Sequence, residues 1–67
     1  MFSITIKRTD GSREVLAHSE YSEAVAIYER KCAEFTKGLD YSVTLTRKSE
    51  GWNEILRYKR GNYTWSI

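Results

Sequence analysis

The sequence predicts an α+β domain with element order β-β-α-β-β-β, one helix packed on one face of a mainly antiparallel five-stranded sheet. Three observations carry that expectation. One stretch, Ser19 to Gly38, spaces its apolar residues at helical intervals. The stretches around it alternate apolar and polar residues, the period of a strand with one buried face. Short glycine-bearing links join neighbouring strands, and short links dictate hairpins rather than crossovers.

The helix is the element on which the rest packs. Tyr21, Val25, Tyr28, Cys32 and Phe35 follow one another in steps of four, three, four and three. Such steps put all five on one stripe. Ala24 widens the stripe, and the charged residues lie beside it or opposite. Ser19 is the expected N-cap, since its hydroxyl can accept from the first free backbone N–H groups. Glu20 and Glu23 in the first turn and Lys37 in the last suit the helix dipole. Gly38 and Leu39 suit a helix stop.

Each strand follows from its alternation. Phe2, Ile4 and Ile6 alternate with Ser3, Thr5 and Lys7. Asp10-Gly11 is a hairpin signal. The second strand, about Arg13 to His18, is expected to turn Val15 and Ala17 inward, with Glu14, Leu16 and His18 outward. Tyr41, Val43 and Leu45 alternate with Ser42, Thr44 and Thr46 in a third strand rich in β-formers. After the Ser49-Glu50-Gly51 turn, a fourth strand runs from about Trp52 to Lys59. Its expected inward residues are Trp52, Leu56 and Tyr58; its outward ones are Asn53, Ile55, Arg57 and Lys59. Past Arg60-Gly61-Asn62, Tyr63, Trp65 and Ile67 mark a last short strand, with Trp65 expected inward.

Sixty-seven residues make one domain with a modest core. The chain has no Pro, and no low-complexity run or internal repeat. Its single Cys excludes an internal disulfide and fits a reducing compartment. The sequence has no apolar leader and no run long enough to span a membrane, so a cytoplasmic protein is expected.

The net charge of +2 is small, but its distribution is uneven. Residues 41–67 hold five cations against two carboxylates, while the helix is near balance. By parity, the sheet face away from the helix is hydroxyl-rich and basic. It is expected to show Ser3, Thr5, Lys7, Ser42, Thr44, Thr46, Lys48, Arg57, Lys59, Thr64 and Ser66, with Glu14 as the exception and Leu16 and Ile55 as apolar anchors. An antiparallel sheet can simply wet such a face; it can also dock an acidic partner, protein or nucleic acid. Modules that stack RNA bases on a sheet need aromatics on the open side, and parity turns the aromatics here inward.

No catalytic, metal or cofactor motif stands out. His18 and Cys32 are the sole residues of their types, too few for a zinc site. His18 reads as a surface or helix-start residue, Cys32 as a small core residue. The acidic helix residues read as a solvated face with partners such as Arg30–Glu34. Lys59-Arg60-Gly61-Asn62 is the sharpest local basic feature. Trp52, beside the Gly51 turn, is the first candidate for an exposed aromatic anchor, with Tyr63 and Tyr41 behind it.

Ser22-Glu23-Ala24, then Gly38 and Tyr41-Ser42-Val43-Thr44, is similar in layout to a short phage inhibitor of bacterial RNA polymerase. Leu56-x-Tyr58-Lys59, Gly61 and Trp65 resemble the end of a small type I-F anti-CRISPR protein. The resemblance to phage-encoded inhibitors of host machinery implies a non-catalytic protein that blocks a larger bacterial protein or nucleoprotein complex, such as a CRISPR surveillance complex, in the host cytoplasm. On that reading Lys7, Lys48, Arg57, Lys59 and Arg60 attract an acidic surface, and Trp52 or Tyr63 anchors. The alternative is a weakly sequence-specific nucleic-acid-binding protein using the same basic face. A regulatory subunit or antitoxin-like partner stays open, as does monomer against homodimer, since an edge strand can pair with a second copy.

Overall fold

The structure, a computed structural model, describes residues 1–35, 40–61 and 63–66; of Asp40 and residues 63–66 it describes the backbone alone. The strands are β1 (Phe2–Arg8), β2 (Arg13–His18), β3 (Asp40–Ser49), β4 (Trp52–Arg60) and β5 (Tyr63–Ser66), with one helix, α1 (Tyr21–Ala33), between β2 and β3. All pairings are antiparallel, in the order β2-β1-β3-β4-β5. Strands β1 to β4 form the body of the sheet, and the four-residue β5 runs along the outer side of β4. The α+β class and the helix laid on an antiparallel sheet follow the sequence expectation.

The core lies between α1 and the central strands. Ile4 and Ile6 of β1 and Val43 and Leu45 of β3 are buried beneath Ala24 and Tyr28 of the helix, with Leu56 of β4 beside them. Phe2, Leu16, Val25, Ile27, Cys32 and Phe35 pack around that centre. Fully burying one such large side chain contributes roughly 1.5–3 kcal/mol before entropy. Ile27 joins the helix stripe although the spacing argument left it out; Ala24 and Tyr28, one turn apart, form the stripe's centre.

The helix begins differently from the expectation. Its N-cap is Glu20, in extended backbone, and no side chain caps it. The expected Ser19 cap is therefore displaced by one residue, and Glu20 serves through its carbonyl, which accepts from the Ala24 N–H at 3.1 Å. Gly38 and Leu39 lie outside the described residues. At the first hairpin the turn reading holds: Gly11 has φ of 90°, the Ser12 N–H donates to the Asp10 carboxylate at 2.8 Å, and hydrogen bonds from the Ser12 side chain first and its backbone second hold the Asp10 pKa below its ordinary value.

Face assignments in β2 and β4 need correction. In the β1–β2 pair, Ile4 faces Leu16 and Thr5 faces Val15. Directly paired residues share a face, so Leu16 joins the core while Val15 and Ala17 lie exposed on the opposite face, Val15 at 51%. Glu14 faces Ile6 on the helix side and pairs with Arg8 at 3.0 Å, so it is not on the open face. In β4, Trp52 through Leu56 follow the expected parity, and Ile55 is exposed as expected. The alternation then breaks. Leu45 faces Arg57 while Thr46 faces Ile55, leaving Leu56 as an extra residue. That β-bulge flips everything after it: Arg57 and Lys59 turn to the helix side and Tyr58 turns to the open side. Trp65, expected inward, has no described side chain; its backbone pairs with Tyr58.

Candidate functional site: the open sheet face

Among the described residues no helix or further strand layer packs on the side of the sheet away from α1, but two residues expected on show there, Ser3 and Ser42, are buried, at 3% and 2% exposed. That side forms a shallow groove whose floor is Thr5 on β1 and Ser42, Thr44 and Thr46 on β3. These are short hydroxyl side chains on a β-branched framework, which keeps the floor flat and polar. Ile55 and Tyr58 of β4 line one side, and Lys7 and Arg13 the other. Lys48 and Asn53, a cross-strand pair, close the end near the β3–β4 turn. Tyr41 closes the end near the β1–β2 turn, where a second depression adds Arg8, Gly11 and Ser12 to Lys7, Arg13 and Tyr41.

Both tyrosines reach this face through irregularities in pairing. Strict alternation places Tyr41 with Val43 and Leu45, on the helix side. Between Lys7 and Arg8 the β1–β3 register slips: Lys7 faces Ser42, and Arg8 faces Asp40. Tyr41 is the extra residue, and it lines the groove beside Ser42. Tyr58 follows the Leu56 bulge and faces Thr44. Bulges re-aim side chains in this way and gather beside functional sites. The expectation of inward aromatics is thus overturned for Tyr41 and Tyr58. Arg60 fixes Tyr41: its Nη1 donates to the Tyr41 hydroxyl at 2.9 Å, and its guanidinium carbon is 5.4 Å from the ring centroid.

The groove's charge is of one sign. Lys7, Arg13 and Lys48 line it, Arg60 stands at its rim through Tyr41, and no carboxylate among the described residues lines it. Lys7 and Arg13 are direct cross-strand partners. Like charges so placed repel each other.

Of the six residues singled out from sequence, the structure brings Lys7, Lys48 and Arg60 together on this face. Arg57 and Lys59 are corrected: both face the helix. Arg57 Nη1 lies 3.4 Å from the Glu29 carboxylate. Lys59 Nζ donates to the Cys32 carbonyl at 3.3 Å and lies 5.1 Å from the Phe35 ring centroid. A cation at the last carbonyls of a helix suits its dipole, so these side chains strap β4 to the end of α1. Trp52 is 51% exposed, as expected of an anchor, but it faces Ser49 at the β3–β4 turn, on the helix side by register. Tyr63, Thr64 and Ser66 have no described side chains. Arg13 was missed. The signal for it was the spacing around Asp10-Gly11, which puts residues 7 and 13 opposite each other.

Compared with known proteins, the chain matches no family model, no curated protein and no solved structure.

Elsewhere, titratable groups sit in packing roles. His18 Nδ1 is 3.4 Å from Glu23 at the helix start. Burial pushes the Cys32 thiol and the Tyr28 hydroxyl above their ordinary pKa values. Among the described residues no group of three or more His, Cys, Asp or Glu side chains could hold a metal ion, and no helix is long and apolar enough to cross a membrane.

Proposed function

We propose that this protein is a small non-catalytic binding module that docks its open sheet face on an acidic partner. The observation that carries this reading is the single sign of the groove: Lys7, Arg13 and Lys48 line it, with Arg60 at its rim and no described carboxylate among its walls. A one-sign surface steers an oppositely charged partner and rejects like-charged ones. The resemblance to phage inhibitors supports a partner within a larger bacterial complex, blocked by occupation of its surface. Arg57 and Lys59 take no direct part in this docking, because both are engaged with α1.

The test is capture from bacterial lysate at physiological salt with tagged wild-type protein and with the triple variant Lys7→Glu, Arg13→Glu, Lys48→Glu. The reading expects one defined partner in the wild-type sample that is lost from a folded triple variant. Equal recovery by both proteins contradicts it.

A further inference from the structure

We infer that the acidic partner of the open face is a single-stranded nucleic acid, with Tyr41 and Tyr58 as two base-stacking positions; this rests on the docking reading above and names its partner. Three features of the groove lead there. The first is that the rings are embedded in the cationic face. Tyr41 and Tyr58 line the same groove as Lys7, Arg13 and Lys48. Alternating cations and aromatics on one surface is the arrangement that holds a sugar–phosphate backbone while offering rings to its bases. An acidic protein surface satisfies the cations and can use exposed tyrosines as anchors; it is the spacing of the two rings that favours a nucleic acid.

The second feature is spacing. Tyr58 faces Thr44, three residues along β3 from Tyr41. Three residues of strand put the two positions roughly 10 Å apart. Stacked bases in a duplex are about 3.4 Å apart along a strand, so two such rings cannot serve adjacent stacked bases. They serve bases that are splayed out, which a single strand permits and a duplex does not. The cations set the length of the track: Lys7 faces Ser42 and Lys48 lies six residues further along β3. That is a run of roughly 20 Å, enough for a few nucleotides.

The third feature is the cost at which the arrangement is kept. Two bulges are spent on turning these two tyrosines out of the core side, and Lys7 and Arg13 are held as a repelling pair. Breaks in local rules gather at functional sites. A phosphate between Lys7 and Arg13 removes the repulsion. Arg60 acts as a positioning residue, holding the Tyr41 ring by its hydroxyl.

The experiment is fluorescence anisotropy with four probes: labelled twelve-nucleotide DNA and RNA single strands, the matching DNA duplex, and polyglutamate of equal charge. The proteins are wild type, Tyr41→Leu, Tyr58→Leu, Tyr58→Phe and the Lys7/Arg13/Lys48 triple glutamate variant, each checked for folding by circular dichroism. Wild type should bind a single strand more tightly than duplex or polyglutamate. Each leucine variant should lose about 10-fold or more for the single strand, because one stacked base is removed. Tyr58→Phe, which keeps the ring, should bind as wild type does, so a fold defect is told apart from a lost stack. With three or four phosphates held, log affinity should fall with log salt with a slope of about −2 to −3. Polyglutamate binding as tightly as single strand, or leucine variants binding like wild type, overturns the nucleic-acid inference while leaving the docking reading in place. Binding to none of the acidic probes overturns the nucleic-acid inference, and the lysate capture with the triple variant then decides the docking reading by itself.

Discussion

Lys7 and Arg13 stand directly opposite one another across β1 and β2, two cations in one cross-strand pair on the open face. Like charges so placed lower stability relative to neutral partners. Replacing either with Gln should therefore raise the midpoint of urea unfolding slightly while weakening retention on an anionic matrix. A variant that loses stability and keeps retention contradicts the role given to the pair.

Arg57 and Lys59 should behave in the opposite way. Each reaches from β4 to the C-terminal half of α1, onto Glu29 and onto the Cys32 carbonyl. Partly exposed pairs of this kind contribute about 0.2–1 kcal/mol, and a lysine over a ring adds on the order of 0.5–1 kcal/mol. Arg57→Ala and Lys59→Ala should each lower unfolding stability by up to about 1 kcal/mol with anion retention nearly unchanged. Chemical denaturation and retention run side by side separate the two effects.

The β1–β2 register makes a clean contrast. Leu16 packs toward the core and Val15 is half exposed on the far face. Leu16→Ala should cost about 1–3 kcal/mol, below the full core range because the site is only partly buried. Val15→Thr should stay within about 0.5 kcal/mol. Equal costs in thermal unfolding are incompatible with the register.

The helix face predicts alkaline sensitivity. Burial raises the folded-state pKa of the Cys32 thiol above its ordinary 9.0 and of the Tyr28 hydroxyl above its ordinary 10.0. A raised folded value means stability that is complete below the unfolded pKa and lost as pH rises, because the unfolded chain gives up its protons first. Urea midpoints should therefore fall from about pH 9 upward, more steeply above 10. Tyr28→Phe should remove the steeper part. At neutral pH it should change stability little, since the only group the buried hydroxyl meets among the described residues is the Cys32 thiol, a weak hydrogen-bonding partner. A wild-type midpoint that is flat through pH 10.5 (a rough upper limit set by the ordinary tyrosine range) contradicts this.

The class of the fold was legible because alternation and helical spacing are strong where strands are regular. Phe2, Ile4 and Ile6 of β1, like Val43 and Leu45 of β3, follow the period of two without interruption. The groove was only half legible. Lys7, Lys48 and the threonines sit on uninterrupted runs and fall where parity puts them. Tyr58, Arg57 and Lys59 lie beyond the Leu56 bulge, and Tyr41 lies at another. A single inserted residue inverts every assignment after it, and no composition marks either position. The second strand failed for a different reason: both parities of residues 13–18 carry an apolar residue. Only the pairing around Asp10-Gly11 decides that Leu16 meets Ile4.

The most direct test of the central claim is a carbon-labelled methyl spectrum recorded while a short anionic chain is added. Methyls sort the two faces cleanly. Thr5, Thr44, Thr46 and Ile55 line the open groove, while Ile4, Val43, Leu45 and Leu56 face the helix. Docking on the open face predicts shifts concentrated in the first set, with the second nearly still. Shifts centred on Val25, Ile27 and the buried set, with the threonine methyls unmoved, contradict it.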